Sequence, residues 1–187
     1  MSARKPAVHP VVDPAQQGSI RVDCYVRSNV PPSVSEQIRA LVDRVRSLRE
    51  HGFVDEVRVT RWPPQQSMTE ETGSTCNDLV AEFEQWAERN GYSLEPGFRR
   101  REIPPSPLGL ASDSRERVRV PIVALALYED DAETEVLRGV VPCTDRSVSD
   151  DDRTYTVDGW LTTVETRVLD DSASASQIDQ LPLVDRQ

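Results

Sequence analysis

Lysine is almost missing from this chain. Lys5 is the only one, and every other basic residue is an arginine. Cysteine is sparse too, at three residues (Cys24, Cys76 and Cys143) with no CxxC spacing. An odd, scattered set of this kind does not build a disulfide framework or a tetrahedral zinc site, and it fits reduced thiols in a cytosol. The two histidines, His9 and His51, share no ligand spacing with each other or with a cysteine, so no metal is expected. Aromatic residues make up only 5% of the chain, which supports a real but modest core. No apolar run is long enough to span a bilayer. The first residues, MSARKPAVHPVVDPAQQGS, lack the apolar stretch of a secretory signal. The expectation is a cytoplasmic protein. Catalytic signatures are missing as well: there is no GxSxG, no Walker loop and no GxGxxG. SDDDRT, Ser149 to Thr154, clusters carboxylates but lacks the glycine and distal glutamate of an EF-hand loop. No constellation of acid, base and nucleophile stands out, so the chain does not read as an enzyme, and no cofactor is implied.

What the chain has in excess is acid. There are 32 acidic against 22 basic residues in 187, a net charge of −10. Arginine makes forked hydrogen bonds to carboxylates, whereas lysine is a strongly hydrated point charge on a long stem. An acidic, nearly lysine-free surface fits a protein that works in concentrated salt, where screening relieves its self-repulsion. The acidity argues against indiscriminate phosphate binding.

One domain of ordinary size is expected over residues 19 to 169. A flexible arm precedes it through residue 18, and a disordered polar tail follows from Asp170. Ile20, Val22, Cys24 and Val26 alternate with polar residues, which predicts a strand. SVSEQIRALVDRVRSLREHG, Ser33 to Gly52, places Val34, Ile38, Leu41, Val42, Val45 and Leu48 on one helical stripe. Ser33 and Glu36 suit a capping box at its start. Arg39 and Asp43, like Arg46 and Glu50, are spaced to pair, and Gly52 suits the turn beyond its end. Phe53 to Arg61 alternates again, so a β-α-β unit with parallel strands is expected. After a polar linker, residues 77 to 90 predict a second helix with Leu79, Val80, Phe83, Trp86 and Ala87 inward and Asp78, Glu82, Glu84 and Glu88 outward. RVRVPIVALALYE is apolar on both faces after Pro121 and predicts an interior strand. EVLRGVVPC predicts its hairpin return, and a short helix capped by Asp158 closes the pattern, with Trp160, Leu161, Val164 and Val168 inward. The fold class is α+β: a β-α-β unit followed by α-β-β-β-α, with helices packed on a mixed sheet.

Two sets of arginines are candidate anion- or nucleic-acid-binding residues. Arg99, Arg100 and Arg101 precede a loop, and Arg115, Arg117 and Arg119 follow it. Paired as an antiparallel hairpin, Arg99, Arg101, Arg115, Arg117 and Arg119 would share one face, because side chains on a face recur every two residues. Guanidinium groups grip phosphate through paired hydrogen bonds. The alternative is pairing with Glu102, Asp113, Glu116 or another subunit's acidic helix. Arg39, Arg44, Arg46 and Arg49 on the first helix form the secondary set. Glu36, Asp43 and Glu50 nearly cancel their charge, which favours an ion-paired helix covering a sheet over one that reads DNA. His51 suits the negative end of that helix. Trp62, Trp86 and Trp160 read as packing anchors rather than base-stacking platforms, Trp62, beside Pro63, least clearly of the three.

Three stretches carry a resemblance. RVDCYVRSNVPPSVSEQIRALVDRVRSLREHGFVDEVRVTRWP, EFEQWAERNGYSLEPGF and VPIVALALYEDD with RGVVPCTD and TYTVDGWLTTVE resemble a group of small haloarchaeal proteins that carry the label of a helix-turn-helix domain. The similarity spans roughly Ile20 to Glu165. It implies a DNA-binding or regulatory protein. A helix-turn-helix joins two helices by a turn of a few residues, a pattern that a strand at Phe53 to Arg61 would break. The competing reading is a non-catalytic ligand- or protein-binding module that forms a homodimer. DNA and a second copy of the chain are thus the partners considered.

Overall fold

The computed structural model describes residues 19–64, 75–103, 115–131, 134–146 and 153–177. The first element is β1, Ser19–Val26, followed by helix α1, Pro32–Glu50, and β2, Glu56–Arg61. β2 runs parallel to β1 with Cys24 opposite Val59. The segment from Phe53 therefore ends in a strand, as its alternation predicts. Helix α2, Cys76–Asn90, comes next, then the short β3, Tyr92–Ser93. Strands β4, Arg99–Ile103, and β5, Arg115–Arg119, pair with each other as a two-stranded ribbon among the described residues. β6, Val123–Asp131, and β7, Thr134–Val141, form an antiparallel hairpin. β8, Cys143–Asp145, and β9, Arg153–Tyr155, lead into helix α3, Val157–Gln177.

The main sheet has the order β2-β1-β6-β7, mixed because only β1 and β2 are parallel. β6 is interior, and Val123 to Tyr128 are all buried. Pro121 explains why the apolar run splits: it cannot donate to a ladder, so the chain leaves the β4–β5 ribbon there and re-enters the main sheet at Val123. A second sheet, β3-β8-β9, and the β4–β5 ribbon complete the strands. Among the described residues the fold is a single α+β unit with three helices, and it holds more strands than the sequence pattern resolved. β3, β8 and β9 are only two or three residues long and leave no period to read.

Helices cover both faces of the main sheet. Val22 and Cys24 lie under α1, whose Val42, Val45 and Leu48 are buried, and under α3, whose Trp160, Leu161 and Val164 are buried. On the opposite face Tyr25 meets Phe83 of α2, with ring centroids 5.8 Å apart, and Trp62 stacks on Tyr25 at 5.0 Å. Phe98 closes this cluster against Trp62 and Phe83. Farther along the same face, Arg21 is buried with Asp23, reaches Glu135 and lies over the Tyr128 ring.

The starts of α1 and α3 depart from the expected caps, whereas the end of α1 is as expected. α1 starts one residue before Ser33, with Pro31 at the N-cap and no side-chain cap bond. Pro32 at the first helical position holds φ in the helical range and forces Pro31 into an extended conformation, so the Pro-Pro pair itself sets the start. Arg46 pairs with Asp43, three residues back, rather than with Glu50. At the other end His51 is the C-cap, its Nδ1 lies 2.7 Å from the Ser47 carbonyl oxygen, and Gly52 takes φ 73°. α2 has a capping box: Thr75 Oγ1 accepts from the Asp78 amide, and Asp78 accepts from the Thr75 amide. In α3 the bond to the free Gly159 amide comes from Thr156 Oγ1 and not from Asp158, which lies inside the first turn. α3 also continues to Gln177, past Asp170 where the sequence pattern placed the tail.

Among the described residues every helix but the last is followed by a strand, and no two helices are joined by a short turn.

Candidate nucleic-acid interface

The β4–β5 ribbon aligns Arg99 with Arg119, Arg101 with Arg117 and Ile103 with Arg115, all antiparallel. This is the pairing that the odd-numbered spacing predicts. The other face of the ribbon turns inward. Val118 is 1% exposed, and Arg100, opposite it, reaches across to Glu84 of α2, with Nε 2.9 Å from Oε1. Strand alternation explains the division: burying Val118 and tying Arg100 to α2 leaves the odd-numbered positions facing outward. Arg99, Arg101, Arg117 and Arg119 are exposed. Among the described residues none of these four makes an ion pair, and Glu102 sits at an even position of the ladder, opposite Glu116. Asp113 and the side chains of Arg115 and Glu116 lie outside the described residues.

The ribbon stands beside the carboxyl ends of the two parallel strands. Arg27 follows β1 directly and Trp62 follows β2 directly. The Arg27 amide donates to the Ile122 carbonyl and its guanidinium to the Val120 carbonyl. The Trp62 amide donates to Val26, and its indole N–H to the Pro121 carbonyl at 3.1 Å. These bonds hold Arg27 and Trp62 against the strand that leads out of the ribbon. Between them and the arginines lies a cleft of about 610 Å³, lined by Arg27, Trp62, Arg101, Arg117, Arg119 and Val120, among others. A second hollow of about 300 Å³ continues past Arg119 and Arg27 to Arg99 and Gly97. Gly97 lies so close to Pro142 that an added Cβ would come within 2.6 Å of its ring, so the backbone leading into β4 is seated where only glycine fits.

The ribbon arginines are thus brought together, with Arg100 on the inner face. Arg27 and Trp62 are additions that the local pattern did not reveal. Their signal is topological: ligands of open sheets gather beyond the carboxyl ends of parallel strands, and these two residues occupy that position.

The first-helix arginines are dispersed. Arg44 does not point to solvent: Nε and Nη2 each lie 2.8 Å from a Glu165 oxygen, and Thr162 and Asp158 of α3 also accept from it. These hydrogen bonds, chiefly the one to Glu165, push its guanidinium further above the ordinary arginine range. Arg46 is tied to Asp43, while Arg39 and Arg49 are exposed.

The three cysteines are buried and free of disulfides. Burial pushes the Cys24 and Cys143 thiols up to about 12, and the Cys76 thiol also rises through burial. Protonated thiols are poor nucleophiles and poor metal ligands. Among the described residues no group of three or more His, Cys, Asp or Glu could hold a metal ion. His9 and most of Ser149 to Thr154 lie outside those residues. No described helix is long and apolar enough to cross a membrane.

No curated protein and no solved structure matches this chain. A family model described as a helix-turn-helix domain matches residues 14–168, most of the chain, and points to a DNA-binding or regulatory role. The chain belongs to this helix-turn-helix domain family.

Proposed function

We propose that this protein is a non-enzymatic, DNA-associated regulator of a salt-adapted archaeal cytoplasm, and that it contacts phosphates through the β4–β5 ribbon and not through a recognition helix. The observation that carries this reading is the ladder itself. Arg99 beside Arg119 and Arg101 beside Arg117 set four guanidinium groups on one exposed face of a chain whose net charge is −10. Grouping cations against that balance costs electrostatic energy unless an anion shares the face. Two-stranded ribbons fit the major groove, and phosphate contacts from arginine position a protein on a duplex without specifying sequence. The first helix is a poor competitor, because Arg44 is committed to α3 and Arg46 to Asp43.

A fluorescent duplex titrated with protein verified as folded tests the reading. Binding should weaken steeply with added salt, and Arg99→Ala with Arg101→Ala should reduce it at least tenfold. An absence of duplex binding at every salt concentration at which the protein is folded would favour the second class, a non-catalytic binding module. One feature supports that class. Val59 on β2 and Val136 on β7, the outer strands of the main sheet, are 41% and 40% exposed, which suits a contact with a second copy.

A further inference from the structure

We infer that the cleft beneath the arginine ladder takes a nucleotide whose base is unpaired. The inference rests on reading the ladder as an anion-binding face, but not on the ligand being a duplex. Its basis is the way the lining divides. One wall is cationic, with Arg101, Arg117 and Arg119 from the ribbon and Arg27 from the end of β1. Beside Ser28, the rest of the described lining is apolar, contributed by Trp62, Val118 and Val120. Among the described residues that line it there is no carboxylate. Such a lining would favour neither a bare inorganic anion, which leaves the apolar part unused, nor an uncharged hydrophobe, which leaves the guanidinium charges without an anion. A nucleotide has both parts: phosphate for the arginines and a flat base for the apolar surface. The cleft volume of about 610 Å³ suits a ligand of that size.

Trp62 makes the match more specific. Its indole N–H already donates to Pro121, so what it offers the cleft is aromatic surface. The ring is half-buried and held in place by Tyr25, Phe83 and Phe98. A fixed aromatic beside a row of arginines is the arrangement by which single-stranded nucleic acids are held, with bases stacking on rings and phosphates following the cations. A base inside a duplex cannot reach such a surface without leaving its stack. The same chemistry is available from two sources, a free nucleotide or an unpaired nucleotide within a strand.

The three tryptophans provide the test. Trp86 and Trp160 are 6% and 0% exposed and lie away from the cleft, so a ligand at the cleft should change the emission of Trp62 alone. Full-length protein, verified as folded at each salt concentration, is titrated with ATP, an oligothymidylate of eight nucleotides and a blunt duplex. The expected result is saturable quenching by ATP or by the single strand, which identifies the source, and little quenching by the duplex. Trp62→Leu should abolish the quenching and weaken binding of whichever unpaired ligand quenched by about tenfold, the scale of one base stack, and by clearly more than it weakens binding of the duplex. Because Trp62 also packs in the core, Trp62→Phe is measured alongside by anisotropy of the labelled ligand and should retain most of that affinity. Failure of all unpaired nucleotides to quench, or equal loss of duplex and unpaired-ligand binding in Trp62→Leu, would overturn the inference. Absence of duplex binding with intact nucleotide quenching would instead remove the duplex reading and leave the cleft standing.

Discussion

Individual arginines in this chain are distinguished by their neighbours. Arg44 bridges α1 to α3 through Glu165, Thr162 and Asp158. Arg44→Ala should destabilise the fold by about 1 kcal/mol, near the upper end for a partly exposed pair, and leave nucleic-acid affinity unchanged. Thermal unfolding together with a duplex titration checks both halves. Thr75 is a second residue with a measurable local role. Its hydroxyl and amide hold the Asp78 carboxyl below the ordinary carboxylate range. Thr75→Ala should cost about 1 kcal/mol at neutral pH, as lost N-caps do. A carboxyl depressed in the folded state stabilises above its unfolded pKa, and that contribution fades as pH falls through the folded value. The gap between wild type and Thr75→Ala should therefore narrow in acid, and a gap that widened would contradict the assignment. At this scale the sequence was legible where a period governs orientation. The odd-numbered arginines share a face because strands alternate, and pairing two stretches was enough to see it. Arg27 and Trp62 were not legible, because what matters about them is which strand ends lie side by side, and no local spacing carries that.

Among the elements, β6 holds the domain together. It lies between β1 and β7 and presents Leu125 and Leu127, both 0% exposed, to the core. Leu125→Ala should cost about 2–5 kcal/mol, the range for a fully buried leucine. Leu41 lies on the same predicted stripe as Val45 but is only half-buried, so Leu41→Ala should cost about 1–2 kcal/mol. Chemical denaturation of the two variants tests whether α1 covers the sheet as described, and a larger loss for Leu41→Ala would place that helix differently. The helices and long strands followed from amphipathic period. The start of α1 differs because Ser33 and Glu36 have the spacing of a capping box, while the Pro31–Pro32 pair sets the N-cap two residues earlier. The ribbon's independence from the main sheet was hidden because RVRVPIVALALYE reads as one run until Pro121 is given its missing N–H.

The whole molecule carries a charge of −10 on 187 residues, so salt should govern both folding and binding, in opposite directions. Screening stabilises an acidic fold, whereas it weakens attraction between arginines and phosphate. Unfolding midpoints should rise with salt, and Glu88→Gln on the exposed face of α2 should make that rise shallower. The sequence suggested the same result for Glu84, but the structure separates the two. Glu84 is an ion-pair partner of Arg100, so Glu84→Gln should cost about 0.5–1 kcal/mol by weakening the tie between the ribbon and α2. Equal behaviour of the two variants would show that this pair does not hold the ribbon on α2. The ladder's role as the phosphate contact is tested most directly by the slope of log affinity for a duplex against log salt. Each phosphate contact contributes about 0.9 to that slope. Removing two contacts with Arg99→Ala and Arg101→Ala should make it shallower by about 1.8, while Arg39→Ala with Arg49→Ala on the first helix should leave it unchanged. A slope that holds in the ribbon variant and falls in the helix variant would contradict the account.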